Sequence, residues 1–254
     1  MNLARCLPAV SLVAIAIWAG CNKDKEQPQV AVAASSAMPA SGPAAGQARF
    51  VVAPGSTCEF LIDAPLEKIK GSSARVSGTI DLDPKSLKSS KASFEVDLDD
   101  LKTETFPDAA KNASQTEHMK NWFEIGPDVE PKLRAENRRA RFALKSIDRV
   151  SASSLADAPE SNGQRNVTMT VSGDLSLHGA SSPKTVDLVL TFAGPASDPA
   201  LVHLVTSQPL KVSLKEHDIK PRDLAGKFVA GALEKVGQKI DDTVLISLDL
   251  KAAK

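Results

Sequence analysis

The chain contains no tyrosine, and its aromatic residues amount to 8 Phe and 2 Trp among 254 positions. Proteins that stack bases or sugars need flat aromatic platforms, so that mode of recognition has little support. Net charge is missing as well, with 31 Lys and Arg against 31 Asp and Glu. A nucleic-acid binder needs a basic footprint, and the totals provide none. Cysteine is scarce: Cys6 and Cys21 belong to the N-terminal segment, which leaves Cys58 alone beyond it. A single cysteine makes neither an intrachain disulfide nor a CxxC site. No GxSxG, GxGxxG or P-loop spacing occurs. Asp99 and Asp100 are neighbours at a strand end and point to opposite faces, which makes them a poor acid/base pair. These absences point away from an enzyme, and no cofactor is expected.

Residues 1–21, MNLARCLPAVSLVAIAIWAGC, hold one charge, Arg5, then an apolar run that closes on Ala19-Gly20-Cys21. The run is too short for a comfortable membrane span and fits the core of a signal peptide. The ending resembles a bacterial lipobox. That resemblance implies cleavage before Cys21 and acylation of its thiol, with more than one acyl chain giving stable anchorage. Asn22 after the cysteine favours the outer membrane, on the periplasmic side. Residues 21–48 are rich in Ala, Ser, Pro and Gln and lack apolar period, as expected of a disordered tether. The remaining stretch, 49–254, suffices for one core.

From Arg49 onward the pattern changes to alternation with period two, the mark of strands buried on one face. Cys58, Phe60 and Ile62 share a face. So do Ala74, Val76, Gly78, Ile80 and Leu82; Ala92, Phe94, Val96 and Leu98; and Ala140, Phe142 and Leu144. Val167, Met169, Val171, Gly173, Leu175 and Leu177 continue the pattern. After the turn His178–Lys184, Val186, Leu188, Leu190 and Phe192 return. A strand over 201–214, bent near Pro209, and a last one over 243–251 make eight. Eight sequential, one-sided strands predict an all-β, antiparallel barrel closed on itself, which abolishes exposed edges. Two inserts predict short helices that cover the barrel ends: Gln115–Phe123, and 223–238 with Asp223 as its cap.

The runs GTIDLDPKSLKSSKASFEVDLDDLKT (78–103), QTEHMKNWFEIG (115–126) and VSGDLSLHGASSPKTVDLVLTF (171–192) together resemble the YceI-like family. The resemblance spans about 49–252. It implies a lipocalin-like barrel enclosing an elongated apolar tunnel for a polyisoprenoid or related lipid. The lining would be Cys58, Phe60, Ile62, Phe94, Val96, Phe142, Leu144, Met169, Val171, Leu188, Leu190 and Phe192. On the residues alone, a core filled by these same side chains is the favoured solution for eight strands, and the resemblance reverses that preference. Cys58 then reads as a small buried hydrophobe. His217, Asp218, Lys220, Arg222 and Asp223 form a dense charged turn, read as a solvated loop in preference to a rim for an anionic headgroup, for which His178, His217, Lys220 and Arg222 are the candidates. The histidines His118, His178, His203 and His217 show no HExxH spacing, so hydrogen-bonding roles are favoured over a metal site, and no metal is expected. Two other functions stay open: a histidine-based metal protein or enzyme, and a ligand-free structural or stress-related envelope protein.

Overall fold

The computed structural model describes residues 42–63, 68–220 and 242–254. The signal segment, most of the tether, the 223–238 helix and Arg222 fall outside the described residues. Thirteen strands form one sheet: β1 Ala48–Val52, β2 Thr57–Asp63, β3 Lys68–Ser73, β4 Val76–Leu82, β5 Lys91–Asp97, β6 Lys102–Thr103, β7 Arg139–Val150, β8 Glu160–Ser161, β9 Gln164–Leu177, β10 Ala180–Ala193, β11 Leu201–Thr206, β12 Leu210–Ser213 and β13 Thr243–Ala253. The described helices are α1, Ala109–Trp122, and α2, Pro131–Asn137. Eight strands close a ring in the order β1-β4-β5-β7-β9-β10-β11-β13, and β13 returns to β1 through Val51↔Ala253 and Val52↔Ala252. Every pairing is antiparallel. The expected all-β, eight-stranded antiparallel barrel is therefore the fold.

The membership of the ring differs from the sequence expectation. The 57–62 strand (β2) pairs with the first half of β13 and leads through β3 to β6, a second tier of wall below β1. The short ARFVV strand, β1, closes the ring above it. Ala74, expected to face inward, is exposed in the turn between β3 and β4. The 201–214 stretch is two strands, β11 and β12, interrupted at Ser207–Pro209. Both pair with β13, since Val205 opposes Asp249 and Leu210 opposes Ile246.

Local chemistry explains the elements. β9 and β10 meet in a tight turn of His178 and Gly179, both at positive φ. That is the turn whose twist matches two paired strands, and His is among the few side chains enriched there. α1 starts earlier than the apolar pattern alone predicts, because Asp108 caps it, accepting from the N–H groups of Ala110 and Lys111. On the outer wall Glu95 lies between Arg139 and Arg141, and Asp97 meets Arg138, stitching β5 to β7.

The interior divides in two. At one end Phe50, Leu82, Val167, Phe192 and Ala252 pack against Leu87, Ala152, Leu155 and Ala158, which enter from the connections rather than the strands. That half is filled. At the other end Met119, Trp122, Phe123 and Ile125, from α1 and its exit, close over Leu98, Leu101, Leu175, Leu177 and Leu214.

Candidate functional site: an apolar bore

Between the filled half and the α1 cap lies a cavity of about 130 Å³. Its walls come from β2, β3, β4, β5, β7, β9, β10, β11, β12 and β13, and its roof from Met119 and Phe123. Of the described lining residues only Ser73 and Thr206 carry hydroxyls. Ser73 Oγ donates to the Asp97 carbonyl at 3.1 Å, and Thr206 Oγ1 accepts from Leu248 N at 3.1 Å. Both hydroxyls already have backbone partners, so the bore presents apolar surface to a guest. An engineered cavity of ~150 Å³ with similar walls stays dry and takes up benzene. The space as it stands therefore suits one flat or branched five- to six-carbon group, by that scale of about one benzene.

Three phenylalanines set this size. Each lies over a glycine of a neighbouring strand. A Cβ at Gly71 would sit 2.6 Å from Phe60 Cζ, one at Gly78 would sit 2.7 Å from Phe94 Cδ1, and one at Gly173 would sit 2.6 Å from Phe142 Cζ. Gly78 and Gly173, on the inward faces of β4 and β9, thus make room for rings. Phe60, Phe94 and Phe142 all line the bore.

Of the expected lining residues, Cys58, Phe60, Ile62, Phe94, Val96, Phe142, Val171 and Leu188 surround the cavity. Leu144, Met169, Leu190 and Phe192 belong to the filled half. The cavity is completed by Leu98, Leu101, Met119, Phe123, Leu204, Leu210, Val212 and Leu214, among others. Alternation along β9 and β10 already pointed Leu175, Leu177 and Val186 inward. The contribution of Met119 and Phe123 required knowing where α1 docks. Cys58 is only half-buried by surface area and lines the bore. It is nonetheless removed from bulk water, and burial pushes its thiol up to about 12, with a smaller contribution from the Glu59 charge. It behaves as an apolar wall atom rather than a nucleophile.

His178 and His217 come together, away from the cavity lining. His217 is fully buried, and Nδ1 donates to the Leu177 carbonyl at 3.2 Å. That leaves Nε2 to accept from Ser182 Oγ at 3.1 Å. Burial lowers the imidazole from its ordinary value, outweighing the carbonyls of Leu177 and Ala180 that raise it. His178 Nδ1 donates to the His217 carbonyl at 3.1 Å, and its Nε2 lies 3.5 Å from Glu124 Oε2. The pair fastens the turn after β12 to the β9–β10 hairpin. Lys220 is paired with Asp218 at 2.6 Å on the surface. His118 sits on α1, and His203 meets Asp249 at 2.7 Å on the outer wall. Among the described residues no three His, Cys, Asp or Glu side chains gather as a metal site. Asp99 faces Arg134 and Arg138, and Asp100 accepts from Ala74 N, so both carboxylates hold structure.

A closed antiparallel barrel around an apolar bore defines a lipocalin-like class of protein. Within it, residues 50–252 match the YceI-like domain, and the chain belongs to that family. Among solved structures, a polyisoprenoid-binding domain from Saccharophagus degradans, implicated in plant cell wall breakdown, is 16% identical. It superposes with a TM-score of 0.51 over 82% of this chain and 98% of that one. BcnA of Burkholderia cenocepacia is also 16% identical, with a TM-score of 0.46 over 77% and 95% of the two chains. A YCEI protein of Campylobacter jejuni is 13% identical, with a TM-score of 0.45 over 72% and 84%. No curated protein matches the chain.

Proposed function

We infer that the protein is a non-catalytic carrier that shelters the apolar chain of an isoprenoid-type lipid in its bore, for storage, shielding or transport in the bacterial cell envelope. The observation that carries this reading is a cavity walled by apolar side chains whose two hydroxyls are already bonded to backbone. Such a wall recognises hydrocarbon and nothing polar. Burial contributes about 25 cal/mol per Å² of apolar area removed from water. The Saccharophagus domain of the same fold, which binds polyisoprenoid, supports isoprenoid as the chain type.

The size of the bore gives the reading its detail. In this form it holds roughly a single terminal isoprene-sized group, by comparison with cavities that admit one benzene. A longer chain enters by turning Phe60, Phe94 or Phe142 off the glycine beneath it. Titration with geranyl, farnesyl and geranylgeranyl alcohols, read by the fluorescence of Trp122 in the apolar cluster at the α1 end, tests this. Affinity rising with chain length supports a tunnel that extends on loading. Equal weak binding of all three contradicts it.

The same reading places the carrier at a membrane, through acylation of Cys21 on the periplasmic face of the outer membrane, with residues 22–48 as tether. Mass spectrometry of the N-terminal peptide from membrane fractions tests that part. An acylated Cys21 at the new N-terminus is expected, and an unmodified cysteine contradicts it.

A further inference from the structure

Among the described residues both ends of the bore are covered. The filled half blocks one, with Phe50, Leu87 and Leu155 completely buried, and α1 blocks the other with Met119 buried beneath it. A guest therefore needs a way through the wall. Among the described residues the wall has a break in its hydrogen bonding. β10 pairs with β11 only from Leu188 to Ala193. Below that, Ala180–Asp187 pairs with β9 on one side, while β12 pairs only with β13. No ladder joins β10 to β12.

The chemistry of β10 fits an open edge. The hairpin turn sets Ser181, Pro183, Thr185 and Asp187 as the residues whose backbone groups point away from β9. Proline has no N–H to give a neighbour and is confined within sheets to such edges. The interruption at Ser207–Pro209 moves the other side of the seam out of register. Clasps hold the seam at its two ends. Ser207 N donates to the Asp187 carbonyl at 2.9 Å at the upper end. At the lower end His217 meets Ser182, and Lys184 meets Glu216 at 2.5 Å.

Between the clasps an outer pocket of about 350 Å³ opens on the surface, with Lys184, Asp187, Gln208 and Lys211 at its rim. Val186 and Leu210 line this pocket and also line the bore. Those two residues are common to the bore and the outer pocket.

Resting on the carrier reading, we propose that the β10–β12 seam is the lateral portal through which a single-chain amphiphile threads its tail. Its polar head stays in the outer pocket beside Lys184 and Lys211. Val186 and Leu210 swing aside, and the two clasps limit how far the strands part. An anionic head would meet the exposed Lys211 there, in competition with the Asp187 carboxylate, which accepts from the Thr170 hydroxyl at 2.6 Å.

The test follows the uptake of cis-parinaric acid, a fluorescent single-chain carboxylate, by stopped flow. Lys211→Cys is labelled with a bulky maleimide that fills the outer pocket. Lys91→Cys, at the filled end, and Glu117→Cys, on α1, carry the same label. Labelled wild type accounts for Cys6 and Cys21, and Cys58 is shielded. The adduct at 211 is expected to slow association and dissociation about tenfold each while Kd stays within about threefold, the signature of a blocked path rather than a lost site. Unclasping by Glu216→Gln is expected to speed both. Slowing at 117 with none at 211 moves the path to the α1 end and overturns the portal alone. Failure of wild type to bind the probe at all removes the carrier reading and the portal with it.

Discussion

Filling the bore from its own wall separates a binding cavity from an ordinary packing defect. Ala140 on β7 is half-buried, faces the cavity and stands opposite Val96. Ala140→Leu adds three carbons to a space of about 130 Å³, which has room for them. Those carbons replace roughly three carbons of a guest. At about 0.8 kcal/mol per buried methylene, binding of an apolar chain weakens by ~2.4 kcal/mol, or about sixtyfold. Folding stability changes little, by about 1 kcal/mol or less, because the new atoms enter empty volume; overpacking a filled core would cost ~1–3 kcal/mol. Displacement of cis-parinaric acid measures the first quantity and urea denaturation the second. A protein destabilised by several kcal/mol with its affinity for apolar chains unchanged would refute the reasoning, since the guest would then sit elsewhere.

Other expectations follow from individual residues. Gly71→Ala places a Cβ 2.0 Å from the Lys102 carbonyl and 2.6 Å from Phe60, so the urea midpoint falls, by about 1–3 kcal/mol of stability, and an unchanged midpoint would mean that β3 and β6 do not approach as described. The buried His217 is held below its ordinary value in the folded protein, so the unfolded chain takes up the proton first as pH falls. Its contribution is full above about pH 6.5 and is lost progressively below it. Denaturation midpoints should decline between about pH 7 and 5, and His217→Gln should flatten that decline. Carboxylates such as Asp148, held low by the Ser172 and Ser146 hydroxyls, act only in more acid solution. The Cys58 thiol, near 12, should react with maleimide at pH 8 about three orders of magnitude more slowly than an ordinary cysteine, and at the ordinary rate once unfolded; peptide mass mapping reads this directly.

The barrel was legible because one-sided strands write their inward face into every second residue. β4, β5, β9 and β13 are of that kind. β1 and β3 were missed for a physical reason: ARFVV is too short to display a period, and KIKGSS buries Gly71 and Ser73 instead of large apolar groups. The start of α1 was missed because its first turns lack an apolar stripe and the cap at Asp108 sets the boundary instead. The bore was half legible. Alternation shows which residues point inward, but says nothing of how far along the axis the interior is filled. Leu144, Met169, Leu190 and Phe192 look like Phe142, Val171 and Leu188 in sequence. What separates them is the insertion of Leu87 and Leu155 from connections with no period at all. The sequence puts Pro183 in a turn and Pro209 at a bend, and locating the seam needed the pairing partners of β10 and β12.

Native mass spectrometry of protein purified gently from its own membranes, without detergent exchange, tests the central claim most directly. The account predicts a fraction of molecules carrying one apolar lipid of prenyl character, lost when Ala140 is replaced by leucine. A population that is wholly empty, and that takes up no prenyl alcohol when offered, would contradict it.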